Sequence, residues 1–471
     1  MFLDEVLRRS VEKYPQKEAV RDSVCSITYT ELDEMSNLIA YELNNKKKKL
    51  KEPIGVFMDK TIQCVVTIFA ILKSGSAYVP IDKTLPAFQI RRIIKDAGIK
   101  IIVTDMEVCR LPVVNIIIYK EIRRGKINNK GTIVIEKNRS ERDVAYILYT
   151  SGSTGVPKGI EISHKASLVF VLWASSYLNI TAEDTFSSHA PFSFDLSIFD
   201  IYCSLSSGAT LVLLPHGGSA FPKTLCKFIF ENKISIWYSV PSILIKMSEI
   251  DIFEKCKENL RCIIYAGESM PVKFAGKLMN LFLKAEFYNF YGPTETNVIT
   301  YHKLSTKDLQ YDQIPIGKAC PYADIQIKEC DLNDGYGELI VRTESLMNGY
   351  RDRKEISSKD YYSTGDIVIT VGHDEYVHIG RLDHMVKVNG FRVELEEIEC
   401  VIEKYPGISG CVVKYEKGEK NILRAVVETN EEIKETELRK YLSKMLQPYK
   451  QPAVIEFCSS IEVTARGKKQ R

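Results

Sequence analysis

The run Tyr149-Thr150-Ser151-Gly152-Ser153-Thr154-Gly155-Val156-Pro157-Lys158-Gly159 sets short hydroxyl donors, glycines and a mobile cation behind an apolar stretch, Val144 to Tyr149. That stretch reads as a buried strand. Glycine lets a backbone approach a ligand closely, and successive N–H groups in such a turn make an anion-binding nest. The chemistry these residues suit is the cradling of phosphate oxygens. It is not the Walker solution, because the GxxxxGK[ST] spacing fails, and no GxGxxG occurs. Taken alone, the stretch has a competing reading as a solvated surface loop.

Two more clusters of polar residues follow apolar strands: Gly267-Glu268 after Cys262 to Tyr265, and Asn289 to Glu295 after Ala285 to Asn289. In open α/β sheets ligands bind at the carboxyl ends of strands, so both clusters stand where chemistry is expected. The elements that must position them alternate. Phe2 to Tyr14 has helical period, Ser26 to Tyr29 a strand pattern, and Thr30 opens a helix carrying Glu31 and Glu34. Ile54 to Met58 reads as a strand, Thr61 to Ser74 as a buried helix ending at Gly75, and Ile101 to Thr104 as a strand. Thr210 to Leu214 and Ile234 to Ser239 continue the style. This βα alternation predicts a mainly parallel sheet with helices on both faces.

From Ile314 the pattern turns to short β segments: Ile325 to Ile327, Gly337 to Val341 and Tyr361 to Thr370. A polar joint, Gly380-Arg381-Leu382-Asp383, precedes a unit read as strand (Met385 to Asn389), helix (Glu394 to Lys404), hairpin (Gly410 to Lys414, Leu423 to Val427), helix (Lys434 to Met445) and strand (Ala453 to Phe457). That order suggests a small α+β domain. The expected organisation is α/β: a large N-terminal domain of βα-type sheets plus a β-rich part over 1–380, a hinge over 381–384, and a small mobile C-terminal α+β domain over 385–471.

Composition narrows the function classes. Across 471 residues, Lys+Arg of 64 against Asp+Glu of 61 gives a net charge of +3, so no global field recruits nucleic acid or anionic lipid. The 12 cysteines form no CxxC pairs and have no histidines at metal spacing, which suits reduced thiols in a cytosolic protein. No basic-then-apolar leader opens the chain, and no apolar run approaches the roughly 18 residues of a membrane span. A cytoplasmic protein is expected.

Taken in order, the motifs resemble the adenylate-forming enzyme superfamily, in its amino-acid-activating, carrier-protein-loading branch. The resemblance rests on Thr28-Tyr29-Thr30-Glu31-Leu32, Lys73 to Asp82, the glycine-rich loop, Phe194-Asp195-Leu196-Ser197, and Asn289-Phe290-Tyr291-Gly292-Pro293-Thr294-Glu295. It continues through Gly337-Glu338-Leu339, Ser363-Thr364-Gly365-Asp366, Gly380 to Glu399, and Thr464-Ala465-Arg466-Gly467-Lys468. It implies that an amino acid's carboxylate attacks the α-phosphate of ATP and expels pyrophosphate. A phosphopantetheine thiol on a carrier protein then takes the acyl group as a thioester. Both steps build negative charge on oxygen, so placed cations and N–H donors supply most of the catalysis.

The resemblance also assigns roles. Thr150, Ser151, Gly152, Ser153, Thr154, Gly155 and Lys158 would hold the β- and γ-phosphates. Glu295 would bind Mg²⁺, a hard ion suited to carboxylate and phosphate oxygens; on its own it reads as a buried helix-capping glutamate. Asn289 and Tyr291 would flank adenine, with Gly267, Gly292 and Thr294 as further nucleotide contacts. Asp366 would accept both ribose hydroxyls, and Arg381 would add a nucleotide contact, where an interdomain salt bridge is its rival reading. Lys468 would bridge the substrate carboxylate and the adenylate oxygens, although Arg466, Lys469 and Gln470 depart from the family pattern around it. Thr150, Lys158, Glu295 and Lys468 form the implied catalytic set. Asp383 is the implied hinge, about which the small domain turns to present first Lys468 and then the Lys387 to Arg392 strand, with Gly390 beside the pantetheine path.

Asp195 stands where amino-acid-activating members pair a carboxylate with the substrate ammonium, since burying a charge demands a partner. Read alone it is an ordinary helix N-cap. The implied remainder of the pocket is Leu196, Phe199, Tyr238, Ile264, Ala266, Phe290, Val298 and Ile299, which is apolar and ring-rich and suits a small apolar side chain. The set looks like that of free-standing prolyl-carrier-protein ligases. Pro191 through Tyr202 also resembles the D-alanine–carrier-protein ligases, which carry a cysteine where this chain has Ala266. The expected function is ATP-dependent activation of L-proline and its transfer to a separate carrier protein, since none follows Arg471. D-alanine is the nearest alternative and coenzyme A another possible acceptor. A non-catalytic amino-acid or nucleotide sensor on the same fold is the alternative of a different class.

Overall fold

The computed structural model describes residues 1–47, 51–106, 115–119, 139–150, 157–214, 221–329, 336–351, 356–357, 359–372, 374–382, 385–388, 390–416, 421–459 and 461. Its contacts divide into two units: residues 1–83, 94–148 and 159–380 in the first, and 84–93, 149–158 and 381–471 in the second. Among the described residues no helix is long and apolar enough to cross a membrane.

Local chemistry explains the early helices. Tyr29–Lys46 is opened by Thr28, whose hydroxyl accepts from the Glu31 N–H at 3.2 Å while the Glu31 carboxylate accepts from the Thr28 N–H at 2.7 Å. This reciprocal box is the physical content of the Thr28-to-Leu32 motif. Ile62–Lys73 is buried on nearly every side, and it stops where Gly75 takes φ 75°, a conformation that costs a glycine little.

The helices pack against sheets. A nine-stranded sheet runs Lys318–Ala319, Thr300–Lys303, Glu286–Tyr291, Cys262–Ala266, Ile236–Ser239, Thr185–Ser188, Thr210–Leu213, Glu18–Arg21 and Ser26–Thr28. From Glu286–Tyr291 across to Glu18–Arg21 the neighbours are parallel. Side chains alternate between its two covered faces. Tyr238, Ile264, Ala266, Tyr288 and Phe290 enter one core; Trp237, Ile263, Tyr265 and Phe287 enter another. Burial on both faces is what a parallel sheet requires.

A seven-stranded sheet follows the order Gly349–Tyr350, Lys158–Ser163, Val144–Thr150, Tyr78–Pro80, Ile54–Phe57, Ile101–Thr104 and Asn115–Ile118. A four-stranded sheet, Ala323–Glu329, Tyr336–Thr343, Tyr362–Val371 and Glu375–Arg381, forms the β-rich part.

Residues from Met385 onward have their own core, including Val393, Ile398, Ile402, Val413, Ala425, Val427, Leu438 and Leu442. One element departs from expectation. Met385–Val388 pairs antiparallel with a further strand, Phe391–Glu394, where the sequence reading had a single strand leading to a helix. Gly390, at φ 82°, supplies the tight reversal, and Asn-Gly is a strong hairpin signal.

Candidate functional site

Chain geometry delivers Asp195 to the carboxyl edge of the nine-stranded sheet. The strand Thr185–Ser188 ends there, and residues 189–195 lead into the short helix Leu196–Ile198 and the π-helical turn Phe199–Cys203. Asp195 precedes that helix but makes no capping bond to it. Instead its Oδ2 accepts the Thr294 hydroxyl at 2.7 Å. The N-cap alternative therefore fails for this side chain. Thr294, expected among the nucleotide contacts, here serves the aspartate.

The apolar residues expected beside the aspartate are buried. Leu196, Phe199, Tyr238, Ile264, Ala266, Phe290 and Val298 share one buried cluster. The Tyr238 ring stands edge-on to Phe199 at 5.1 Å and to Phe290 at 6.2 Å. Burial, then the charges of Asp195 and Asp200, pushes the Tyr238 phenol well above its ordinary range, so it stays a neutral hydroxyl. Ile299 does not join these residues. It packs with Tyr291, Ile316, Leu339, Val341 and Val368, because consecutive residues here turn to opposite sides.

The strand Glu286–Tyr291 runs on into the turn that carries Gly292, Thr294 and Glu295. A Cβ on Gly292 would lie 1.7 Å from the Asn297 carbonyl oxygen, so a side chain cannot be accommodated without moving the turn. Asn297 itself adopts φ 56°. Glu295 is 1% exposed, its Oε1 accepting the Tyr350 hydroxyl at 2.8 Å and its backbone carbonyl accepting the Met347 N–H at 2.8 Å. It is no helix cap. No group of three or more His, Cys, Asp or Glu side chains among the described residues could hold a metal alone. A single buried carboxylate still fits Mg²⁺, which is commonly held by one or two carboxylates with phosphate oxygens and water completing the shell.

Asp366 is buried in the strand Tyr362–Val371 and receives two protein donors. The Tyr291 hydroxyl donates to Oδ2 at 2.7 Å, and His378 Nε2 lies 3.1 Å from Oδ1. The Tyr291 ring packs near His378 with centroids 6.1 Å apart. Asn289, 6% exposed, donates its Nδ2 to the Pro315 carbonyl at 2.8 Å, which fixes the amide's orientation. Gly267 takes φ 91° directly after the strand Cys262–Ala266, and Glu268 accepts the Ser242 N–H at 3.0 Å.

Thus Asp195, Thr294, Glu295, Tyr291 and Asp366 belong to one unit and are linked through one turn. Thr150, Lys158 and Arg381 fall in the second unit. Ser151, Gly152, Ser153, Thr154, Gly155, Asp383 and Lys468 lie outside the described residues. Sequence reasoning missed Tyr350 and His378. Neither has a local signal: Tyr350 reaches Glu295 from 55 residues away, and His378 reaches Asp366 from the neighbouring strand of the four-stranded sheet.

Residues 7–351 match the family model described as AMP-binding enzyme. The chain is 32% identical over 429 residues to the L-proline--[L-prolyl-carrier protein] ligase of Pseudomonas fluorescens, covering 88% of this chain and 86% of that one. It is also 32% identical over 497 residues to the D-alanine--D-alanyl carrier protein ligase of Bacillus cereus, covering 100% and 98%. Other curated relatives are far longer, and the chain spans 11% of their length. Among solved structures, a holo NRPS protein containing adenylation and PCP domains superposes with a TM-score of 0.86 at 22% identity, over 100% of this chain and 83% of that one. That likeness shows the α/β fold.

Proposed function

Because the chain belongs to the AMP-binding enzyme family, we propose that it activates a small apolar amino acid with ATP and passes it to the phosphopantetheine thiol of a separate carrier protein. A carboxylate oxygen of the amino acid attacks the α-phosphorus, the bond to the pyrophosphate oxygen breaks, and aminoacyl-AMP remains. The carrier thiolate then attacks the acyl carbon, and AMP leaves.

The observation that carries this reading is Asp195, half-buried next to the buried Leu196 and held by Thr294 at 2.7 Å. An ammonium entering apolar surroundings needs such a counter-charge. A pure nucleotide sensor has no need of it. Asp366, held by Tyr291 and His378, would accept the ribose hydroxyls, Glu295 would hold the magnesium ion, and Thr150, Ser151, Gly152, Ser153, Thr154, Gly155 and Lys158 would take the phosphates. Lys468 would bridge the reacting carboxylate and the phosphate oxygens.

L-proline is our preferred substrate. The small Ala266 beside the large flat rings of Phe290 and Phe199 suits a compact pyrrolidine side chain. Ala266 also stands where the notable D-alanine pattern has a sulfur. Proline and alanine differ by about two methylenes, a difference worth ~1–3 kcal/mol in an apolar pocket, so discrimination is expected to be graded. Amino-acid-dependent exchange of labelled pyrophosphate into ATP, run with L-proline, D-alanine, L-alanine and valine, tests the proposal. Proline should show the highest kcat/KM; a D-alanine preference would assign the alternative substrate, and no exchange with any acid would refute activation.

A further inference from the structure

Lys60 stands just beyond the strand Ile54–Phe57 of the seven-stranded sheet, yet its side chain works on the other sheet. Its ammonium donates to the Ser188 carbonyl and, at 2.9 Å, to the Ala190 carbonyl. It also lies 5.6 Å from the centroid of the Phe192 ring. Ser188, Ala190 and Phe192 are the residues over which the chain leaves its strand and travels to Asp195. The cation therefore grips the approach to the aspartate at three points.

A second buried titratable group follows the aspartate in sequence. Asp200, 1% exposed, lies in the π-helical turn Phe199–Cys203, and neither of its carboxylate oxygens has a hydrogen-bond partner among the described residues. Such turns often re-aim side chains at functional sites, and this one carries the pocket residue Phe199 beside Asp200. Burial pushes Asp200 well above the usual carboxylate range, with Lys60 pulling it back. Burial likewise lowers Lys60 to about 7, opposed first by Asp200 and then by Cys64, while Lys60 helps to depress the neighbouring His189.

We propose that Lys60 is a positioning residue of the amino-acid subsite, fixing residues 188–192 so that Asp195 meets the substrate ammonium. This rests on the reading of Asp195 as the ammonium partner. Lys60 touches no reacting atom in this account. Its loss acts on binding of the amino acid and leaves the nucleotide subsite, built on Tyr291, Glu295 and Asp366, as it was.

Pyrophosphate exchange, titrated separately with amino acid and with ATP, tests the assignment in the full chain. Lys60→Met should raise the KM for the amino acid about tenfold, the scale of losing charge-assisted hydrogen bonds, with the KM for ATP within about twofold of the parent. Lys60→Arg, which keeps a cation and its donors, should restore most of the loss. If the methionine variant does not fold, Phe192→Leu removes only the ring beneath the ammonium and should raise the same KM by about threefold. A rise in both KM values together, or none in the amino-acid KM, would show a general structural fastening and overturn the proposal. Parent protein that exchanges with no acid would overturn the reading of Asp195, and the Lys60 proposal with it.

Discussion

The hydroxyl of Thr294 donates to Asp195 Oδ2 at 2.7 Å, joining two segments 99 residues apart. One segment leaves the strand Thr185–Ser188, and the other is the turn that also bears Glu295. Through this bond the groups assigned to the ammonium and to the metal-bound phosphates are held in a common frame. A hydrogen bond to a charged group contributes about 1.5–3 kcal/mol. Thr294→Val, which keeps the shape and removes the donor, is therefore expected to raise the amino-acid KM by roughly tenfold or more. Thr294→Ser should recover most of the parent value. Unaltered amino-acid saturation in the valine variant would separate the threonine from the subsite.

Asp195 itself makes a stronger claim. Breaking a buried charge pair by deleting one partner costs about 3–5 kcal/mol, because the other charge is left uncompensated. Asp195→Ala should accordingly lower amino-acid-dependent exchange by a factor on the order of 10²–10³. Exchange at the parent rate in this variant would remove the carboxylate from the pocket.

On the nucleotide side the expectation is the mirror image. Tyr291→Phe deletes the donor that fixes Asp366 Oδ2 at 2.7 Å but leaves the ring in place. The KM for ATP should rise by about fivefold, the size of one net hydrogen bond, with the amino-acid KM unchanged. A change in amino-acid affinity alone would place Tyr291 in the other subsite.

How far these relationships could be read beforehand follows from their range. Ile101–Thr104 and Cys262–Ala266 announce themselves as strands through consecutive apolar residues, and the strand and helix positions from Ile408 onward follow period and turn chemistry. Thr185–Ser188 does not, although it lies between Ile236–Ser239 and Thr210–Leu213 in the sheet. Its Thr-Phe-Ser-Ser composition hides a strand whose hydroxyls are buried by neighbours. The hairpin at Gly390 was legible from Asn389-Gly390 and was overlooked. Asp195, Glu295 and Asp366 were marked by motif order, which says that a carboxylate is needed. The groups that hold them, Thr294, Tyr350 and His378, arrive from other segments and follow no local period. Ile299, placed with Val298 by motif offset, packs in a different buried cluster from it.

The last expectation concerns stability. His164 is 3% exposed; its Nδ1 accepts the Leu3 N–H at 3.1 Å, and Phe2 meets the ring edge-on at 5.2 Å. An accepting nitrogen must be unprotonated, and burial lowers the imidazole from 6.5 to about 4. The unfolded chain thus binds the proton more readily than the folded one, so stability rises with pH across the window between those values. The contribution is complete above pH 6.5 and is lost as pH falls toward 4. Between pH 7 and pH 5 it should cost about 2 kcal/mol, taking 1.36 kcal/mol per unit. Urea unfolding of the parent should show this fall. His164→Asn, which keeps an acceptor for Leu3 and cannot titrate, should be less stable than the parent at pH 7 and show a shallower decline below it. An identical pH slope in the two proteins would mean that this imidazole is not held neutral by the fold.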